Sequence, residues 1–206
     1  MSYARDAAAA ARATSQTAVG ISAVLPQKGC IQYATGPDGL GMKISPKAQP
    51  YAKGQVYLAG PILGKTYTDC RFGWRQEVAM RMLPGIQVLS PMRHEGHLAE
   101  HIGPIDDGVI NKAEYFFSES KIIFAKDVLD IRSCDIMLAN FLGATVPSLG
   151  TVSEIGMAYI LNKTIITVIE DDNIHRHPFV LEPSALVLDN LDDAITAINS
   201  LLSVGI

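Results

Sequence analysis

The chain has 206 residues, 48% of them apolar, and a formal charge of −4. That is enough apolar material for one domain with a real core plus an appendage, and too little length for two full domains. The negative balance excludes an electrostatic case for a nucleic-acid polymer or an anionic membrane, and no apolar run approaches the ~20 residues of a bilayer span.

Residues 1–54 read as a partly ordered N-terminal arm. An alanine-rich run at 7–13 has helical potential, and weakly alternating runs at 20–25 and 30–34 sit among scattered Gly, Pro, Ser and Lys. Arg5, Asp6 and Arg12 leave no apolar stretch of signal-peptide type, so export is not expected. Cys30, Cys70 and Cys134 have no metal-ligand spacing, which predicts reduced, packed thiols and a cytoplasmic location.

The regular pattern opens at Gln55, and 55–206 is the predicted folded domain. Residues 56–59 are apolar and stop at Gly60-Pro61, as a buried strand entering a tight turn does. A helix is expected over 68–83, from the spacing of Phe72, Val78, Ala79 and Met82, with Pro84-Gly85 as its stop. A second strand, 86–89, ends at Ser90-Pro91. From 92 to about 120 the chain is polar; a connection of that length is usually functional, often a lid, and a helix near 111–117 is expected within it.

Asp127 opens the next stretch. A short helix over 128–134 leads to a third strand, 136–141, and a small-residue loop follows at Pro147-Ser148-Leu149-Gly150-Thr151. A helix over 151–161 then carries Glu154 in its first turn. A fourth strand at 164–169, a short fifth at 185–188 and a helix over 191–202 complete the pattern. Strands alternating with helices predict an α/β, flavodoxin-like (Rossmann-type) fold. Its five-stranded parallel sheet has order 2-1-3-4-5 and helices on both faces. In that order the first and third strands are neighbours at the topological switch point. Gly60-Pro61 and the loop before Glu154 then build one cleft.

Several side chains in this cleft can carry chemistry. Glu154 beside a glycine loop can act as a nucleophile on an electron-poor carbon such as the anomeric carbon of a sugar. Thr151 and Glu154 also match a capping box, in which Glu154 only satisfies backbone. Asp127 has two readings as well: the N-cap of the 128–134 helix, or an acid that hands a proton to a leaving group. Ser148, Gly150 and Thr151 offer hydroxyl and backbone N–H groups to an anion, although an ordinary strand-to-helix turn uses the same residues. His94, His97 and His101 fit no standard metal spacing, so neither a metal nor any other cofactor is expected. His175 and His177, after the fourth strand, either reach a cleft, their own or a neighbour's, or are exposed. Tyr57 is read as core, or as the hydroxyl that orients a carboxylate.

Three segments together resemble the nucleoside 2-deoxyribosyltransferase family, including the related deoxynucleoside 5′-monophosphate N-glycosidases. They are VYLAGP at 56–61, KDVLDIRSCDIMLAN at 126–140 and SLGTVSEIGMAY at 148–159. The resemblance implies that Glu154 attacks C1′ of a 2′-deoxyribonucleoside or its monophosphate. It implies that Asp127 contacts the leaving base and that Tyr57 stands beside the nucleophile. Gly60, Pro61, Asn140, Ser148, Gly150, Thr151 and His177 would bind substrate. It also implies a homo-oligomer, a dimer or higher, whose sites borrow partner residues. Where the classical transferases carry an aspartate, six residues before the nucleophile, this chain has Ser148. That departure favours a phosphate at this point and leaves transfer and hydrolysis equally open. Two alternatives stand beside it. One is a nucleotide phosphoribohydrolase of the cytokinin-activating type, whose PGGxGTxxE signature PSLGTVSE echoes without the double glycine. The other is a non-catalytic nucleotide-sensing module in which Glu154 is only a cap.

Overall fold

A computed structural model describes residues 33–35, 41–43, 53–106 and 119–203. The chain divides into two compact units, 1–48 and 49–206. In the first, strand β1 (Tyr33–Thr35) pairs antiparallel with β2 (Gly41–Lys43).

The second unit is an open parallel sheet of five strands: β3 (Gly54–Ala59), β4 (Ile86–Leu89), β5 (Ile136–Asn140), β6 (Thr164–Val168) and β7 (Leu186–Leu188). Their order is β4-β3-β5-β6-β7, every pairing parallel, which is the flavodoxin-like order the alternation predicts. All five residues of β5 are buried, as a central strand covered on both faces requires.

Strand periodicity sorts the apolar side chains into two cores. Val56, Leu58, Ile136, Leu138, Ile166 and Val168 face Val78 of helix α2 (Trp74–Arg81) and Ala194, Ile195 and Ile198 of helix α6 (Leu191–Leu202). Tyr57, Ala59, Met137, Ala139 and Ile165 point the other way. They face Ile131 of helix α3 (Ser120–Ser133) and Ile155 and Ala158 of helix α4 (Leu149–Ile160). The odd-numbered face of β3 therefore delivers Tyr57 to the layer that carries Asp127 and Glu154.

Several boundaries differ from the sequence expectation, each for a physical reason. The helix expected over 68–83 is two helices, α1 (Tyr67–Phe72) and α2, broken at Gly73, whose ψ of −134° is not helical. A Cβ there would lie 2.4 Å from the Asp69 carbonyl oxygen. Helix α3 begins at Ser120 rather than at 128, because lysine and serine on its exposed side mask the apolar spacing of its first two turns. Helix α4 begins at Leu149 rather than at 151, since the small residues of the supposed loop already form its first turn. A 3₁₀ turn (Gly96–Glu100) and a one-turn helix α5 (Pro178–Leu181) were too short to leave a periodic signal. The helix expected near 111–117 lies outside the described residues. Cys70 and Cys134 are buried free thiols, and Cys30 also lies outside the described residues. Among the described residues, no helix is long and apolar enough to cross a membrane.

Candidate active site

The register Ala59↔Ala139 brings the C-terminal ends of β3 and β5 side by side. Gly60 ends β3 and is packed tightly against its neighbours. A Cβ on it would stand 2.8 Å from the Asn140 carbonyl oxygen and 2.9 Å from Trp74 Cζ2. The turn can sit against β5 only because this residue has no side chain.

Glu154 lies in the second turn of α4, the sixth residue of that helix, and not in its first turn. The capping box is therefore not formed. Thr151 is inside the helix with its hydroxyl 2.9 Å from that of Ser148, and Ser148 is the N-cap residue. Glu154 instead accepts a hydrogen bond from the Tyr57 hydroxyl on Oε1, at 2.7 Å. No side chain caps the N-terminus of α4, and the first intrahelical bond is from Val152 N to Ser148 O at 3.2 Å. The preceding N–H groups therefore have no intrahelical acceptor.

Asp127 is likewise not an N-cap: it is the eighth residue of α3. Its side chain is 16% exposed, and its Oδ1 is buried with no hydrogen-bond donor among the described residues. Lys126, 3.8 Å from that oxygen, donates elsewhere: to the carbonyls of Pro91 and Arg93 and to Glu95 Oε1.

Burial pushes Glu154 up to about 7, the charge of Asp127 adds to it, and the Tyr57 hydrogen bond and Arg75 oppose it. Burial likewise pushes Asp127 up to about 7, helped by Asp130 and Glu95 and opposed by Lys126 and Arg93. Burial and both carboxylates raise Tyr57 well above its ordinary value, so it stays a neutral donor.

A cavity of about 270 Å³ is lined by Gly60, Pro61, Asp127, Ser148, Gly150, Thr151 and Glu154, among others. A second, of about 290 Å³ and lined by Ile123, Phe124, Val128 and Met157, meets it at Asp127, Gly150 and Glu154. The two carboxyl groups thus stand where the two cavities meet.

A family model described as nucleoside 2-deoxyribosyltransferase matches residues 56–192, from β3 into α6. The chain belongs to the nucleoside 2-deoxyribosyltransferase family. Among solved structures it is similar to the 2-deoxyribosyltransferase of Bacillus psychrosaccharolyticus, at 18% identity and a TM-score of 0.52, over 73% of this chain and 96% of that one. That likeness shows a shared fold. A second similar structure is the CMP N-glycosidase BcmB of Clostridium botulinum, at 19% identity and a TM-score of 0.43, over 72% of this chain and 99% of that one. No curated protein matches.

Not every residue singled out in this deoxyribosyltransferase-family chain reaches the cavity. Asn140 is buried, and its Oδ1 accepts from Leu142 N at 3.0 Å, so it shapes the turn after β5 rather than lining the wall. His177 is exposed and is the N-cap of α5; its Nδ1 accepts from Phe179 N at 3.3 Å and its ring stacks on Phe179. The histidine that contacts the site loop is His175, buried, whose Nε2 accepts from the Ser148 N–H at 2.7 Å.

Arg75 had no signal in the sequence. It is buried on α2, donates to the carbonyls of Gly60 (2.8 Å) and Cys70 (3.3 Å), and lies 4.5 Å from the centre of the Trp74 ring. Its Nε has no partner among the described residues. Burial lowers its pKa, while Cys70, Glu154, Tyr57 and Asp127 pull it back up. It pins the Gly60 turn and places a buried cation near the carboxylates. Among the described residues, no group of His, Cys, Asp and Glu has the geometry to hold a metal ion.

Proposed function

We propose that the chain breaks the N-glycosidic bond of 2′-deoxyribonucleosides or their 5′-monophosphates through a covalent deoxyribosyl ester on Glu154. The sugar then passes to another base or to water. One observation carries this reading: Glu154, held by Tyr57 at 2.7 Å, lines the same cavity as Asp127, with no other role left for it as a helix cap.

Burial pushes both carboxyl groups up to about 7, and the charge of Asp127 raises Glu154 further, so together they hold about one proton at neutral pH. Hydrogen bonding decides which one holds it. Glu154 accepts from Tyr57, which favours its charged form, whereas Asp127 Oδ1 meets no donor. Glu154 is the carboxylate and Asp127 the acid, which is the division the chemistry needs.

In the first step a Glu154 oxygen bonds to C1′ as the C1′–N bond breaks. The electron pair goes to the base, and Asp127 supplies its proton. A sugar lacking the 2′-hydroxyl bears the developing positive charge more easily, and the nearby carboxylate stabilises it. In the second step water or an incoming base attacks C1′, Asp127 takes the proton, and Glu154 leaves as carboxylate.

The Ser148 and Thr151 hydroxyls and the uncapped N-terminus of α4 line the same cavity, which supports a phosphate on the sugar. Phe124, Leu149 and Ile160 remain exposed on α3 and α4, which supports association with further copies of the chain.

The test is to incubate the protein with a panel of deoxynucleosides and their monophosphates, with and without a second base, and follow free base. A 2′-fluoro substrate should leave a sugar adduct on Glu154 in the mass spectrum. Base release that survives Glu154→Ala removes the nucleophile assignment.

A further inference from the structure

The wall of the cavity built by Ser148 is held from behind by a side chain outside that cavity. His175 is 5% exposed and stacked on Phe141, with ring centres 4.4 Å apart and planes 28° apart. Its Nε2 accepts the Ser148 N–H at 2.7 Å, and its Nδ1 lies 3.1 Å from Asn173 Oδ1. The orientation of Asn173 is fixed in turn. Its Nδ2 donates to the Phe141 carbonyl at 2.8 Å and to Glu170 Oε2 at 2.7 Å, which leaves Oδ1 to face the imidazole.

This chain of bonds dictates the tautomer. A backbone N–H can only donate, so Nε2 must be bare and the ring proton must sit on Nδ1. A doubly protonated imidazole has no acceptor left and would oppose the Ser148 N–H with an N–H of its own. The loop as observed is compatible only with neutral His175.

We propose that neutral His175 is a positioning residue for anion recognition: by accepting the Ser148 N–H it holds the 147–151 loop with its hydroxyls and uncapped amides toward the cavity, and its protonation releases that hold. The inference rests on the reading of this wall as a phosphate site. Substrates bearing a 5′-phosphate lose affinity on acidification, and at neutral pH loss of the His175 acceptor weakens their binding while the bond-breaking step is unaffected.

The groups around the ring allow this. The segment before α4 presents the Ser148 amide, and the end of β5 presents Phe141, both uncharged. Glu170 is joined only through Asn173, and Arg176 pairs with exposed Asp171 at 2.9 Å. Burial favours the neutral ring. Glu154 and Asp127, on the far side of the loop's cavity, lose charge as pH falls, which by itself tightens an anion. Weaker anion binding at low pH therefore runs against the carboxylates and reports on His175.

The experiment uses inorganic sulfate, whose charge is constant over this range, titrated into the isotope-labelled full chain at pH 7.5 and pH 5 with Ser148 and Gly150 amide shifts as readout. Steady-state kinetics with deoxynucleosides and their monophosphates run alongside. Wild-type sulfate affinity should fall about tenfold or more at the lower pH. His175→Phe keeps the ring stack without the acceptor and should bind sulfate weakly at both pH values. It should raise KM for a monophosphate about tenfold, the scale of one buried hydrogen bond, with kcat within about twofold. His175→Gln, whose side-chain oxygen can accept the same N–H, should restore binding at pH 7.5 and abolish its weakening at pH 5. A folded His175→Phe or His175→Gln protein that binds sulfate and monophosphate as wild type does at both pH values overturns the inference alone. So does a wild-type affinity that does not weaken at pH 5. Wild-type protein that binds neither sulfate nor a monophosphate overturns the phosphate reading, and the inference with it.

Discussion

Replacing Glu154 by Gln removes the charge but keeps an oxygen that can accept from Tyr57, so the variant isolates the cost of burying the carboxylate. In the folded chain Glu154 titrates at about 7, against an ordinary value of 4.5. Below 4.5 the folded and unfolded states both hold the proton, and the substitution should cost little. Between 4.5 and 7 the unfolded chain ionises while the folded one does not. The native state then binds more protons, and wild-type stability falls as pH rises. Above 7 the loss is complete. At about 1.4 kcal/mol per pH unit it comes to about 3 kcal/mol. Glu154→Gln should therefore be more stable than wild type by about 3 kcal/mol at pH 8 and within about 1 kcal/mol of it at pH 4. The corresponding rise in Tm at pH 8 is roughly 6–12 °C for a domain of this size. Urea unfolding at the two pH values measures the difference, and an assay for free base should show that the same variant is inactive. A variant no more stable than wild type at pH 8, or equally stabilised at both pH values, would refute the claim that Glu154 is held at an energetic cost to the fold.

The remaining predictions concern the acid, the anion wall and the turn. Asp127→Asn removes the group that must stay protonated, so kcat/KM should fall by about 10²–10⁴ and the loss of activity above pH 7 should disappear from the pH profile. An unchanged alkaline limb would place the acid elsewhere. Ser148→Asp puts a charge beside the α4 N-terminus. It should raise KM for a monophosphate at least about tenfold more than for the nucleoside; equal effects on the two contradict the phosphate site. Gly60→Ala forces a methyl group to 2.8 Å from the Asn140 carbonyl and 2.9 Å from Trp74, and should cost about 1–3 kcal/mol in urea unfolding. Wild-type stability in that variant would mean that the turn is more yielding than its packing indicates.

Local pattern alone specified most of this architecture. Apolar runs ended by Gly60-Pro61 and Ser90-Pro91 mark strands β3 and β4, and β5 reads as a continuous apolar segment because both its faces are covered. Strand–helix alternation and right-handed crossovers then leave few sheet orders, and the observed one was among them. The same logic places Gly60, Ser148, Gly150 and Glu154 at one switch point, where they line one cavity. Helix ends were less legible. The serine, glycine and threonine before Glu154 suit a loop and a first helical turn equally, and only the observed start at Leu149 moved Glu154 out of capping position.

What chain order could not supply was burial and partnership between distant residues. The Tyr57–Glu154 bond spans 97 positions, and no spacing rule reaches that far. Nothing local tells His175 from His177: two residues apart, one is buried against Phe141 with its Nε2 on the site loop, and the other is exposed at a helix cap. Arg75 reads as an ordinary helix-surface cation until the Gly60 turn folds over it. The raised pKa values of Glu154 and Asp127 arise in the same way, from loss of water around two carboxyl groups that only tertiary packing brings into one cavity. Composition and periodicity determine which face of each element turns inward. Desolvation and hydrogen bonding across elements, which set the chemistry, exist only once those faces have met.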